Sequence, residues 1–136
     1  MIEIYCDGGA RGNPGPAAWG FVVYIDNKVI KEQCGYIGIA TNNIAEYTAL
    51  VKALQWLGKE YKNRNLIIYL DSQLVVSQLS GLYKVKNANL RELIFQIRQT
   101  ESYFGEISYR HIPRNLNKNA DKLVNRALDE KLNIVK

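Results

Sequence analysis

From Ile2 to Asp7 the chain alternates. Ile2, Ile4 and Cys6 fall on one side and Glu3, Tyr5 and Asp7 on the other, the period of a β-strand. Gly8 to Pro16 carries four glycines and two prolines, which predicts a loop. Ala18–Ile25 is rich in β-formers, and Asp26-Asn27-Lys28 predicts a hairpin turn into a strand over Val29–Tyr36. Three strands joined by short turns make an antiparallel meander.

The period then changes. Ile44, Tyr47, Val51, Leu54 and Tyr61 recur at helical spacing between Asn43 and Tyr61, and Leu50 and Leu57 widen the stripe. Leu66–Leu70 is an unbroken apolar run, as in a strand covered on both faces. A short helix follows over Ser72–Leu79, stopped by Ser80-Gly81, and another over Leu90–Tyr103, stopped near Gly105. Ile107–Ile112 alternates as a strand, Pro113–Asn117 is a loop, and Lys118–Lys131 is a last helix. The order βββαβααβα predicts a single α/β domain, a mixed sheet with helices on its faces.

Composition changes this picture only at the margins. The chain has 136 residues, 47% hydrophobic and 23% charged, enough for one core without disulfides or a structural metal. Lys and Arg number 18 against 13 Asp and Glu, a net +5 that suits a phosphate-bearing partner without requiring one. No apolar run reaches the roughly 18 residues of a membrane span. The N-terminus does not read as a signal peptide. Cys6 and Cys34 lack metal-ligand spacing, so reduced thiols in a cytoplasmic protein are expected.

Four carboxylates carry the candidate chemistry. Asp7 ends the first strand and Asp71 the fourth; if these strands are parallel neighbours, the two acids stand side by side at the edge where α/β sheets place their sites. Read alone, Asp7 is a turn residue and Asp71 a helix cap. Glu46 heads the row Leu50, Ala53, Leu57 in the first turn of the long helix, leaning towards the sheet; its plain reading is a capping box with Asn43. Asp121 heads the row Val124, Leu128, Leu132. Four converging carboxylates repel, so they bind cations or take up protons. Oxygen ligands suit Mg²⁺ or Mn²⁺. Two such ions ~3.5–4 Å apart activate water and stabilise a leaving oxygen at phosphate, so phosphodiester hydrolysis is the expected reaction.

Four segments resemble the motifs of the ribonuclease HI family in order and spacing: Tyr5–Pro16 the first, Thr41–Glu46 the second, Leu70–Gln73 the third and Asn117–Asp121 the fourth. The resemblance covers nearly the whole chain. It implies a ribonuclease H-like fold, a five-stranded mixed sheet (antiparallel meander plus two parallel strands) with helices on both faces. It implies cleavage of the RNA strand of an RNA/DNA hybrid, leaving 3′-hydroxyl and 5′-phosphate ends. Asp7, Glu46, Asp71 and Asp121 match the family's metal-binding acids for two Mg²⁺ ions, with Asp7 bridging. Asn13, Asn42 and Gln73, with the backbone at Gly8 and Gly9, match residues meeting the minor groove and ribose hydroxyls. Thr41 matches a contact to a DNA-strand phosphate. Amides that donate and accept at once suit the 2′-hydroxyl that marks RNA.

The chain also departs from the pattern. The basic protrusion of some members is replaced by short Gly81–Asn87, where Tyr83, Lys84 and Lys86 are the candidate DNA-strand contacts. The family's mobile histidine has two stand-ins, His111 near a strand end and Arg114 in the loop, and Arg114 ranks first. A monomer suffices for this chemistry. The alternatives are a hybrid-binding module, which gains nothing from clustered acids, a nuclease acting on DNA, which the ribose-reading amides disfavour, and an α/β interaction domain, which fold alone permits.

Overall fold

The meander forms as the alternation predicts. In a computed structural model that describes residues 1–81 and 84–132, β1 (Ile2–Ala10) pairs antiparallel with β2 (Gly15–Ile25), and β2 with β3 (Lys28–Ala40). The β2–β3 turn places Asp26 at φ 51° and Asn27 at φ 67°, the left-handed pair of a two-residue hairpin that Asp and Asn tolerate best. α1 (Asn42–Leu57) then crosses to β4 (Leu66–Leu70), which runs parallel to β1 with Tyr5 opposite Tyr69. α2 (Gln73–Leu79) and α3 (Ala88–Glu101) lead to β5 (Ile107–His111), parallel to β4. A 3-10 turn (Arg114–Leu116) precedes α4 (Lys118–Lys131). The sheet order is β3-β2-β1-β4-β5, so β1 is central and both parallel strands end at one edge.

The core lies between the sheet and α1. Ile2 and Ile4 of β1, Leu66, Ile68 and Leu70 of β4 and Leu50, Leu54 and Leu57 of α1 share one buried cluster, sealed by Ile97 of α3. α4 packs on the opposite face, where Val124, Ala127 and Leu128 meet Ala18 of β2 in a separate small cluster. Helices therefore cover both faces. Among the described residues, no helix is long and apolar enough to cross a membrane.

Four expectations need correction. The segment from Gly8 to Pro16 is not all loop: Gly8, Gly9 and Ala10 continue the β1 ladder opposite Trp19, Ala18 and Ala17, and only Arg11–Pro14 lies between strands. Glycine reads as a breaker, but these glycines answer a packing need described below. The long helix begins at Asn42, one residue early, and ends at Leu57, so Tyr61 packs on the core from beyond its end. Glu46 is therefore its fifth residue, and no Asn43–Glu46 box forms; Thr41 caps the helix, its Oγ1 accepting from the Ile44 N–H at 3.2 Å. Finally, β4 is buried on one face only: Leu66, Ile68 and Leu70 are in the core, Ile67 and Tyr69 half-buried, because α4 reaches β1, β2 and β3 but leaves this side of β4 open.

Candidate active site

β1, the end of β4 and two helix starts meet at one edge of the sheet. Asp7 does not end its strand as the sequence suggested: it sits within β1 opposite Gly20, just past the last β1–β4 pair, Cys6 and Leu70, while Asp71 follows directly on β4 and Glu46 comes down from α1. One carboxylate oxygen from each of Asp7, Glu46 and Asp71 lies within 4.8 Å of the others. Asp121, in the first turn of α4, completes the group by hydrogen bonding to Asp7. Glu46, Asp7 and Asp121 line a cleft of about 350 Å³ with Gly8, Gly9, Asn42, Arg11 and Arg114.

Glycine makes this convergence possible. A Cβ on Gly8 would stand 2.5 Å from the Glu46 nitrogen and closer still to the Ala45 carbonyl, so α1 seats directly on the strand backbone. A Cβ on Gly20, the residue opposite Asp7 in β2, would stand 2.8 Å from Leu123 Cβ and 3.1 Å from the Ala120 oxygen of α4. Each helix reaches its acid because a side chain is missing beneath it.

The electrostatics follow from crowding. Burial, then the charges of Asp71, Asp121 and Glu46, push the Asp7 carboxyl up to about 8. Burial and Asp71 push Glu46 up to about 7, against a hydrogen bond from Ser72 and the positive charge of Arg114. Glu46 Oε2 is buried with no hydrogen-bond partner. An orphaned carboxylate oxygen beside two other acids is a donor set that fits a hard divalent cation.

The same facts set the pH response. The folded chain holds protons on Asp7 and Glu46 that the unfolded chain releases near pH 4, so folding is favoured at low pH and this advantage is lost as pH rises to about 8. In chelator, the melting temperature should fall between pH 5 and 8.5. Mg²⁺ should flatten the fall, since it takes the place of the protons; a melting profile unchanged by both would contradict the shifts.

The other candidates distribute unevenly. The turn at Arg11–Pro14, with a cis Asn13–Pro14 bond, is tied to both helices. Asn13 Oδ1 accepts from the Asn42 N–H at 3.1 Å, and Asn42 Oδ1 accepts from the Ala10 N–H at 2.8 Å. Arg11 pairs with Asp129 of α4 at 2.6 Å. Asn13, Thr41 and Asn42 also line a groove of about 490 Å³ with Asn43, Asn87 and Asn89. Gln73 is exposed at the start of α2, its Nε2 donating to Ser77 Oγ at 3.2 Å. Lys84 and Lys86 are exposed, away from the acids' cleft, and Tyr83 lies outside the described residues. Arg114 faces the acids, whereas His111 sits in the β5–β4 register opposite Leu70 and does not line their cleft.

The sequence reading placed Asn117 at the end of a loop and gave its side chain no role. Its side chain makes no cap hydrogen bond; it turns inward, 1% exposed, and its Nδ2 donates to the Cys6 carbonyl at 2.9 Å and to Asp71 Oδ2 at 3.0 Å. Asn117 thereby holds Asp71 against β1. Its place in the fourth motif, four residues before Asp121, was the available signal.

A family described as reverse transcriptase-like matches residues 5–127. A bifunctional protein of Mycobacterium tuberculosis is 42% identical over 94% of the chain, which spans 35% of that relative. Ribonuclease HI of Halobacterium salinarum is 40% identical over 95% of the chain and 65% of its own length. Ribonuclease H of Methylococcus capsulatus is 32% identical over 96% of the chain and 91% of its own length. Among solved structures, LC11-RNase H1 in complex with an RNA/DNA hybrid superposes with a TM-score of 0.92 at 41% identity, covering 97% of this chain and 99% of that one. RNase H1 of Halobacterium salinarum superposes with a TM-score of 0.90 at 40% identity, over 95% of this chain and 98% of that one.

Proposed function

The chain belongs to the ribonuclease H family, and from that premise we propose that it is an endonuclease hydrolysing the RNA strand of RNA/DNA hybrids, leaving 3′-hydroxyl and 5′-phosphate ends. The observation that carries the reading is the gathering of Asp7, Glu46 and Asp71 within 4.8 Å, with Asp121 bonded to Asp7. These four acids would hold two Mg²⁺ ions, Mn²⁺ substituting. When bound, such ions supply an activated water and positive charge at the leaving O3′.

The protein's part is placement. Asp7 sits at the centre of the group that would hold the ions; Asn117 keeps Asp71 from swinging away. The backbone at Gly8 and Gly9 and the amide of Asn42 line the cleft, where they meet the RNA minor groove; Asn13 and Gln73 extend that reading to neighbouring ribose hydroxyls. The groove holding Thr41 receives a phosphate of the DNA strand. Lys84 and Lys86 add charge along the flanking DNA. Arg114 faces the acids from the loop and offsets their repulsion towards the incoming phosphate. Every acid comes from one chain, so a monomer completes the site. The free thiols of Cys6 and Cys34 support a reducing, cytoplasmic setting.

The test is direct. Labelled hybrid, duplex RNA and duplex DNA are incubated with Mg²⁺, Mn²⁺ or chelator. Only hybrid should be cut, and chelator should stop it; comparable cutting of duplex RNA would defeat the substrate assignment. In the same assay Arg114→Ala should lower kcat by roughly 10–100-fold, and His111→Ala should leave it nearly unchanged. The reverse order would move the helper role to His111.

A further inference from the structure

A second cleft lies behind the loop that carries Arg114. α4 leaves the outer side of β4 and β5 open, and on that side Tyr5 and Tyr69 stack with ring centroids 4.6 Å apart, Tyr24 meeting Tyr5 edge-on at 5.4 Å. Tyr5 and Tyr69 lie two residues before Asp7 and Asp71, and Tyr24 stands on β2 beside Tyr5. Beside them opens a cleft of about 360 Å³, walled by Tyr5, Tyr24 and Leu116, with Asn115 and Asn119 on its lining, the Asn119 Nδ2 donating to the Tyr24 hydroxyl at 3.0 Å. Leu116 is 61% exposed, an apolar side chain on the same lining as the aromatic rings. Glu3 and Lys118 bring one charge of each sign.

We propose that this cleft binds a nucleobase, and that the loop transmits its occupancy to the acidic site. The lining selects the ligand. Tyrosine and leucine accept the face of a planar ring, while asparagine amides match base edges, which both donate and accept. The opposed charges of Glu3 and Lys118 favour a neutral ring over an isolated phosphate. The volume suits a small ligand rather than a duplex. Transmission is built in: the loop has Arg114 on the acids' side and Asn115 and Leu116 on the other, and Asn117 lines this cleft while donating to Asp71 at 3.0 Å. The base comes either from a free nucleoside or from single-stranded RNA continuing beyond the hybrid.

Binding is read without turnover, by ¹H–¹⁵N NMR in metal-free buffer, so failure here is separate from failure of the hydrolase reading. Adenosine should shift the amides of Tyr24, Leu116 and Asn119 saturably, and those of Arg114 and Asp71 with them; ribose 5-phosphate should not. Leu116→Glu, at an exposed position, should weaken adenosine binding about fivefold or more, and Tyr24→Leu should do the same. If the base belongs to the substrate strand, a single-stranded RNA extension on the hybrid lowers KM in the parent protein and not in Leu116→Glu. If it is a free nucleoside, the extension has no effect while the adenosine shifts remain. Shifts confined to the acids' cleft, or equal in parent and both variants, would overturn the proposal.

Discussion

Replacing Asp7 by Asn should cut hybrid hydrolysis by roughly 10³-fold or more and, in chelator at pH 8, leave a protein that melts at a higher temperature than its parent. Both effects come from one carboxylate. Asp7 is 8% exposed, its carboxyl pushed up to about 8 by burial and by three neighbouring acids. Asparagine keeps the shape and removes the repulsion. Only part of the linkage energy returns, because Glu46 shares the proton uptake; a gain of about 1–3 kcal/mol, several degrees in melting temperature, is expected. At pH 5, where the parent is already protonated, the gain should shrink. Calorimetry at the two pH values checks this. A variant that lost stability equally at both would mean that Asp7 serves the fold rather than the cluster.

Gly8→Ala should be the most damaging single methyl group in the chain near the site. The added carbon would press on the backbone of Ala45 and Glu46 rather than on a mobile side-chain end, so α1 must lift or β1 must bend. A cost of about 3–5 kcal/mol is expected from denaturant unfolding, above the usual range for overpacking. Lifting α1 also draws Glu46 from Asp7 and Asp71, so divalent-ion affinity should fall in whatever fraction still folds. Gly9→Ala is the control: its Cβ would find its nearest neighbours at 3.9 Å and 4.0 Å. That variant should fold almost as well as the parent. Equal tolerance of both alanines would show that the helix is not seated as described.

Much of this was legible in the residues. The two-residue period of Ile2, Ile4 and Cys6 and the row below Glu46 named the faces that became core, because burial is a matter of spacing. Val124 and Leu128 below Asp121 were legible in the same way, although Leu132, the last member of that row, is 40% exposed at the helix end. What stayed hidden depended on partners remote in sequence. Gly8 to Ala10 looked like loop since nothing local says that a helix will press on them. Asn117 looked like the last residue of a loop since its true partners, Cys6 and Asp71, are 111 and 46 residues away. Thr41 outcompeted the adjacent asparagines for the cap because Asn42 is occupied with Ala10. The open side of β4 could not be read from an apolar run that looks the same under one cover or two.

The separate small cluster under α4 gives this helix a weaker anchorage than α1 has. Ala120, Leu123, Val124, Ala127 and Leu128 hold it, with the Arg11–Asp129 pair, against more than twenty buried residues on the other face. α4 thus comes away from the sheet more readily than α1, and detachment removes Asp121 from Asp7 and wets a carboxyl that is otherwise kept protonated. Alkaline, cation-poor solution should therefore loosen this helix before α1, with its amides exchanging hydrogen faster while those of β1 and β4 hold. The chain would then cycle between an armed and a disarmed surface at the tempo of one hinged helix, its scaffold unchanged throughout.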